Sequence, residues 1–322
     1  VRAIRTIAVR TIAITILAFV AAAPLPAAAQ SWPSRPVEII VPFPAGANSD
    51  LASRPLADAL SKALGQPVVV ANKDGAAGTI GTAAVANAQP DGYTLGFSAM
   101  GVVTAQPHLR DGLRYSAASF DYICQVTDVF VVASVSNESP HKTFKDLVAY
   151  IRANPEKVTY GHPGPGTVPN LLMLYMSSEN GLKLTAVPFR GDALGFNALL
   201  GNHINVLMSA DATVTGKNVR TIAVFGDDRL AAMPDVPTTK ELGFGSGFGT
   251  PNGLFAPKGL PPEVLAKLRA ACASAMKSEV TLDAMKKARH NVRHLDGSAF
   301  SERVARDSGI IGALIKKIGR PN

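Results

Sequence analysis

The chain has 322 residues, 47% of them hydrophobic and 17% charged, with a formal net charge of +8. That length fits about two domains of 100–200 residues, and so large an apolar share excludes a disordered chain or a coiled coil. Glycine (28) and proline (23) are frequent without a period, which excludes collagen, and two cysteines are too few for a disulfide scaffold.

Residues 1–29 have the layout of a secretory signal. Arg2, Arg5 and Arg10 form a positive start, 11–23 is an uncharged and mostly apolar run, and Ala27, Ala28 and Ala29 suit a cleavage site. The apolar run is short for a bilayer span, so export with removal of the leader is expected rather than anchoring. Three of the 32 basic residues and none of the 24 acids fall in the leader, so the remainder carries +5. The densest basic stretch, Lys286, Lys287, Arg289, His290, Arg293 and His294, lacks interleaved aromatics and reads as a solvated helix face, so no nucleic-acid partner is expected. Cys124 and Cys272 both sit in apolar patterns; export permits a disulfide, but the two positions specify none by themselves.

Strand and helix patterns then alternate, which predicts open α/β sheets covered by helices. Strand 37–43 leads into a helix with Leu56, Leu60 and Leu64 on one side; strand 68–71, a small-residue helix at 78–88 and strand 93–98 follow, then strands 122–126 and 130–135. Pro55 suggests that the regular part of the first helix starts near Ser53. A polar stretch at 136–141 reads as a crossing between domains. Helix 143–153, strand 158–160, a helix through 171–176, strand 185–188, a helix around 193–200 and strands 204–208 and 221–225 make a second set. After a glycine-rich passage and a strand at 254–256, the pattern is helical from Pro261 to the end, with Phe300, Val304 and Ile311 inward, and this tail is expected to pack on the first domain.

Enzyme templates are missing. The histidines have no ligand spacing, so no metal is expected, and there is no GxSxG elbow, no GxxxxGK[ST] loop and no GxGxxG fingerprint. What stands out is loops of small and hydroxyl residues at strand-to-helix junctions, where free N–H groups and the positive end of a helix dipole meet. Three qualify: 44–50, 98–101, and 164–167 with Asn170 just beyond.

The wording of these junctions and their flanks is more specific. Trp32-Pro33-Ser34-Arg35-Pro36-Val37 through Pro42-Phe43-Pro44, then Asp50, Leu64-Gly65-Gln66-Pro67, Pro90-Asp91-Gly92-Tyr93, Pro163-Gly164-Pro165-Gly166-Thr167, Pro188-Phe189-Arg190-Gly191, Pro234-Asp235-Val236-Pro237 and Leu254-Phe255-Ala256-Pro257 occur in order along the chain. In this wording it resembles the tripartite tricarboxylate transporter receptors, the Bug-type periplasmic binding proteins. The resemblance implies a two-domain α/β fold of the type II periplasmic-binding-protein kind, with a ligand cleft between domains. The corresponding division is 1–29 leader, 30–135 first part of domain one, 136–252 domain two and 253–322 the return to domain one. It also implies a small organic acid as ligand, no cofactor and no catalysis, a periplasmic location, and membrane permease subunits as partners; a sensor kinase is the alternative partner, and an exported hydrolase the weakest rival.

Carried over position by position, the implied ligand-binding residues are Ala47, Asn48, Ser49 and Asp50 on one side, Gly166 and Thr167 on the other, and Ser98 between them. Asn170, Ser209 and Asp211 are further candidates, with Ser209 and Asp211 as alternatives for one place. The chain departs from the family in reading Ala45-Gly46-Ala47-Asn48 before Asp50, which brings the Asn48 amide toward the solute. Asp50 has two open roles, helix capping and contact with a ligand amine. Thr167 is either a helix cap or a ligand contact, or both, and Arg190 reads as a solvated loop cation.

Overall fold

The expected alternation closes into two sheets. A computed structural model describes residues 32–245 and 248–320; the expected leader, 1–29, lies outside the described residues. From Arg35 onward the chain packs as one unit. It starts with β1 (Val37–Val41), α1 (Asn48–Leu64), β2 (Val68–Asn72), α2 (Thr79–Ala86) and β3 (Thr94–Ala99). Short helices α3 (Gly101–Thr104) and α4 (Gln106–Leu109) precede β4 (Phe120–Val129). The second set is β5 (Val131–Val135), α5 (Phe144–Ala153), β6 (Thr159–His162), α6 (Val168–Asn180), β7 (Thr185–Pro188), α7 (Asp192–Leu200), β8 (Val206–Ala210), α8 (Asp211–Val214) and β9 (Arg220–Phe225). The chain ends with β10 (Thr250–Pro257), α9 (Pro262–Ala275), α10 (Glu279–Lys287), β11 (Asn291–Asp296) and α11 (Gly297–Ile318).

The first sheet has the order β11-β4-β10-β3-β1-β2 and the second β7-β6-β8-β5-β9. In the first, β1 lies between β2 and β3 and is parallel to both; in the second, β6 lies between β7 and β8 and is parallel to both. Buried parallel strands covered by helices need no polar face, which is why Val37, Ile39, Ile40 and Val41 are all inside. Helices α1 and α6 therefore follow equivalent strands and start at the carboxyl ends where open α/β sheets bind ligands.

The border between the sheets departs from expectation. The change of sheet falls at Phe130, between β4 and β5, ahead of the polar stretch at 136–141, because β5 pairs with β8 and β9. The two strands are almost wholly buried on either side of Phe130, so burial carries no mark of the change. The return is β10, which begins at Thr250 and pairs antiparallel with β3 and β4, so the expected border at 252/253 falls inside a strand.

Two further expectations are corrected. The tail is not helical throughout: β11 pairs with the outer edge of β4, so Arg293 and His294 lie on a strand, while Lys286 and Lys287 close α10. Nor is the basic stretch simply solvated, since Arg293 pairs with Asp128 at 3.6 Å and Asp228 at 3.0 Å, and His290 is buried. Helix α11 serves both halves: Phe300 and Val304 join the first core, whereas Ile311, Leu314 and Ile315 join the core of the second with Val168, Leu171 and Met208. Lys317 adds an ion pair to Glu179 of α6 at 3.0 Å. Among the described residues no helix is long and apolar enough to cross a membrane.

Cys124 of β4 and Cys272 of α9 form a disulfide, with Cα atoms 6.5 Å apart. The bridge fastens α9 to the first sheet and closes a loop across a separation of 148 residues that contains the whole second sheet. Cross-linking a long loop limits the unfolded chain. Replacing both cysteines by serine is expected to lower the unfolding free energy by about 2–4 kcal/mol, measured by urea titration, and added reductant should destabilise the parent protein but not the double variant.

Candidate functional site

Helix α1 begins at Asn48 rather than near Ser53, and Pro55 lies inside it. Proline removes one i→i−4 bond, here to Leu51, a residue 44% exposed, so the loss falls on the open side of the helix. The dipole end of α1 therefore stays at the loop instead of retreating a turn and a half. Its first residue follows Ala47, which has no side chain to cap the helix.

The loop is held from below by Asp50. Its carboxylate accepts from the Gly46 N–H at 2.8 Å, from Arg54 Nε and Nη2 at 3.0 and 2.8 Å, and from Asn72 Nδ2 at 3.0 Å. Burial pushes its pKa up, but the Arg54 hydrogen bonds, the Gly46 N–H and Asn72 outweigh that and hold the carboxyl below its ordinary range. Asp50 is thus a brace for the loop, and those four donors occupy both of its oxygens.

The second half repeats the device with different chemistry. Helix α6 follows Thr167, whose hydroxyl does not cap the helix but donates to the Gly164 carbonyl at 2.7 Å. Asn170 Oδ1 accepts from the Gly166 N–H at 3.1 Å, and its Nδ2 donates to the Tyr160 hydroxyl at 3.0 Å. Gly46 and Gly166 have φ of 82° and 71°, and each is bonded to the side chain four residues on. A positive φ at this place is what turns the chain into the helix, and glycine adopts it without strain.

Both helix starts line one cleft of about 390 Å³, within the ~300–1,000 Å³ usual for small-molecule sites. Of the expected residues, Ala47, Asn48, Ser49, Gly166 and Thr167 line it. Asp50, Ser98, Asn170, Ser209 and Asp211 are not among its walls, for definable reasons. Asp50 and Asn170 are the braces. Ser98 and Ser209 are buried in β3 and β8, where each hydroxyl donates to the next carbonyl, at 3.0 and 3.3 Å. Asp211 accepts from the Phe130 N–H at 3.2 Å and from Asn291 Nδ2 at 2.8 Å, which ties the strand crossing to β11. Arg190 is exposed and outside the cleft.

Asn252 of β10, which no sequence pattern picked out, arranges the upper wall. It accepts from Ser49 Oγ at 3.0 Å and approaches Asn48 Oδ1 at 3.4 Å, while the Ala99 N–H donates to Ser49 Oγ at 3.2 Å. Two cleft residues were also missed, Asp192 and Thr250, and both carry a buried oxygen with no hydrogen-bond partner. The available signal for Asp192 was its position: it opens α7 at a strand-to-helix junction of the same kind as the other three. The remaining walls are small or apolar, among them Phe43, Val102, Val131 and Pro163. Among the described residues no group of His, Cys, Asp and Glu could hold a metal ion.

A second cavity, of about 410 Å³, lies behind the crossing strands. Each of its arginines already has a carboxylate partner: Arg303 pairs with Asp128 at 2.7 Å, Arg293 with Asp128 and Asp228, and Arg306 with Asp307 at 2.8 Å. Arginines already paired make it a poorer candidate for an anionic ligand than the cleft.

The profile of the family described as "Tripartite tricarboxylate transporter family receptor" matches residues 52–320. A protein of Cupriavidus necator, "UPF0065 protein in gbd 5'region", is 33% identical over 93% of this chain and 92% of its own length. The crystal structure of a TctC solute binding protein from Polaromonas superposes with a TM-score of 0.82 at 32% identity, covering 89% of this chain and 100% of that one. MatC from Rhodopseudomonas palustris with bound malate superposes at 0.71 with 26% identity, covering 88% and 100%.

The Asp50 brace has a pH signature. Because its folded pKa lies below the ordinary 3.8, its contribution is complete above that value and is lost as pH falls through the lowered one. Asp50→Ala is expected to cost about 1–3 kcal/mol at neutral pH, from the polar partners left behind. In acid titrations of unfolding free energy, the gap between parent and variant should close below pH 3.8.

Proposed function

The chain belongs to the tripartite tricarboxylate transporter receptor family, and we propose that it captures a small organic acid in the periplasm and presents it to membrane permease subunits without transforming it. One observation carries this: the uncapped starts of α1 and α6, on different sheets, line the same cleft. The first N–H groups of each helix have no side-chain acceptor, and the helix dipole adds a positive end, so a carboxylate placed there meets converging donors. Helix α6 carries Pro169 in its first turn, where a missing N–H costs nothing and the fixed φ suits the helix.

Ligand contacts divided between two halves favour the state in which the halves are close, so capture is coupled to closure of the cleft. The malate bound by MatC supports a carboxylate as the ligand class. The Cys124–Cys272 bridge supports an exported protein, since disulfides persist in oxidising compartments.

Isothermal titration calorimetry against succinate, malate, citrate, glutamate and benzoate is expected to find saturable binding of at least one, at about one ligand per chain. Silence from the whole panel, with the protein shown to be folded, would overturn the proposal. Thr167→Val removes the hydroxyl that closes the Gly164 turn and is expected to weaken that binding by about 1–3 kcal/mol; unchanged affinity would take Thr167 out of the site.

A further inference from the structure

The cleft has an uneven charge. Among the described residues that line it there is no Lys, Arg or His, and Asp192 is its one ionisable side chain. Carboxylate recognition through neutral donors needs no acid, and an acid beside a purely anionic ligand is repulsive. Asp192 therefore requires its own explanation.

Its position is built rather than incidental. Gly191, with φ of 99°, turns β7 into α7, and the Gly191 N–H donates to the Pro163 carbonyl at 3.3 Å, which fastens this junction to the loop carrying Gly166 and Thr167. The Ala210 N–H, at another wall of the cleft, and the Thr213 hydroxyl act on the carboxyl only as far as favouring its charged form, less than burial opposes it. Oδ1 is left buried without a donor. A buried carboxylate in that condition is stabilised by whichever cation reaches it.

We propose that the ligand is an amino-carboxylic acid, with its carboxylate at the starts of α1 and α6 and its protonated amine on the Asp192 carboxylate. The inference rests on the carboxylate-receptor reading above and specifies its ligand class. Thr250, whose Oγ1 is buried in the same cleft without a partner, offers a further acceptor for an ammonium group.

The pH dependence has a definite sign. Burial pushes the Asp192 pKa up to about 6, against the pull of the Ala210 N–H and the Thr213 hydroxyl. Helix α7 packs against β8, β6 and α8. The titratable groups these elements carry are Tyr160 and His162 of β6, both on the sheet face turned toward α6, and Asp211 of α8; Arg190 lies in the preceding loop, and Lys217 stacks on the Phe196 ring at 4.5 Å. Burial holds His162 below its ordinary value, hence neutral, and raises Tyr160 to about 12, so neither adds charge near neutral pH. Asp211 is bonded to Phe130 and Asn291 and turned away from the cleft. An ammonium ligand needs Asp192 ionised, so its affinity must fall as pH drops through about 6. A simple dicarboxylate must show the opposite trend.

The test uses matched ligands that differ by one amino group: succinate against aspartate, glutarate against glutamate, and butyrate against 4-aminobutyrate. Calorimetry on the whole protein at pH 8 is expected to show the aminated member of at least one pair binding at least tenfold more tightly, with that advantage shrinking toward pH 5. Asp192→Asn, which keeps the side chain's shape and removes its charge, is expected to erase the advantage and flatten the pH profile. Asp192→Ser is the second variant if the first does not fold, and the pH profile of the parent protein needs neither. Tighter binding of the unaminated members, with affinity rising as pH falls and improved by Asp192→Asn, would overturn this inference and leave the carboxylate receptor standing. Silence from all six ligands and from the wider carboxylate panel would overturn both.

Discussion

A helix that begins without a side-chain cap leaves backbone N–H groups that need an acceptor from elsewhere. Here two such helices start against the same space, and most of the local structure keeps those starts bare and rigid. In each, a glycine turns the chain, the side chain four residues on seizes that glycine's N–H from beneath, and the side chain at the cap position makes no hydrogen bond to the helix. The two braces differ in a useful way. Asp50 is an acid neutralised by Arg54, and Asn170 is a neutral amide anchored on Tyr160, so neither adds net negative potential to a site meant for an anion.

The sheets explain how two distant stretches of chain arrive at one place. Strands β1 and β6 hold the same position relative to their neighbours, so the helices after them leave at equivalent points of the two sheets. The crossing at Phe130 then sets the halves beside one another, with Asp211 locking the crossing residue to β11. Ser49 and Asn252 show the same economy across long sequence separations: a hydroxyl in one loop is oriented by an amide on the returning strand.

Most strands and helices were legible from periodicity because each has one buried face and a turn-forming boundary. Three features were not, for different reasons. The change of sheet at Phe130 is invisible because β4 and β5 are equally buried on either side of it. Strand β11 lies on a sheet edge with little of it fully buried, so Asn291, Arg293 and His294 mask its alternation and the basic run looks helical. Asp192 escaped notice because an acid at a helix start ordinarily complements the dipole; only its surroundings reveal that one oxygen is unmatched. The candidate site was readable where backbone and glycine determine it, as at Ala47 and Gly166. It was unreadable where a side chain's direction decides, as for Ser98, Ser209 and Asp211, whose polar groups turn inward to local partners.

The last helix limits how the halves can separate. Its first turns are embedded beside Phe300 in one core, and its last turns hold Ile311, Leu314 and Ile315 in the other. Swinging the halves wide apart would drag those three aliphatic chains into water, whereas a twist about the long axis of α11 leaves them seated. The helix therefore ties the two cores together, and an opening that keeps its aliphatic side chains buried is confined to small rotations.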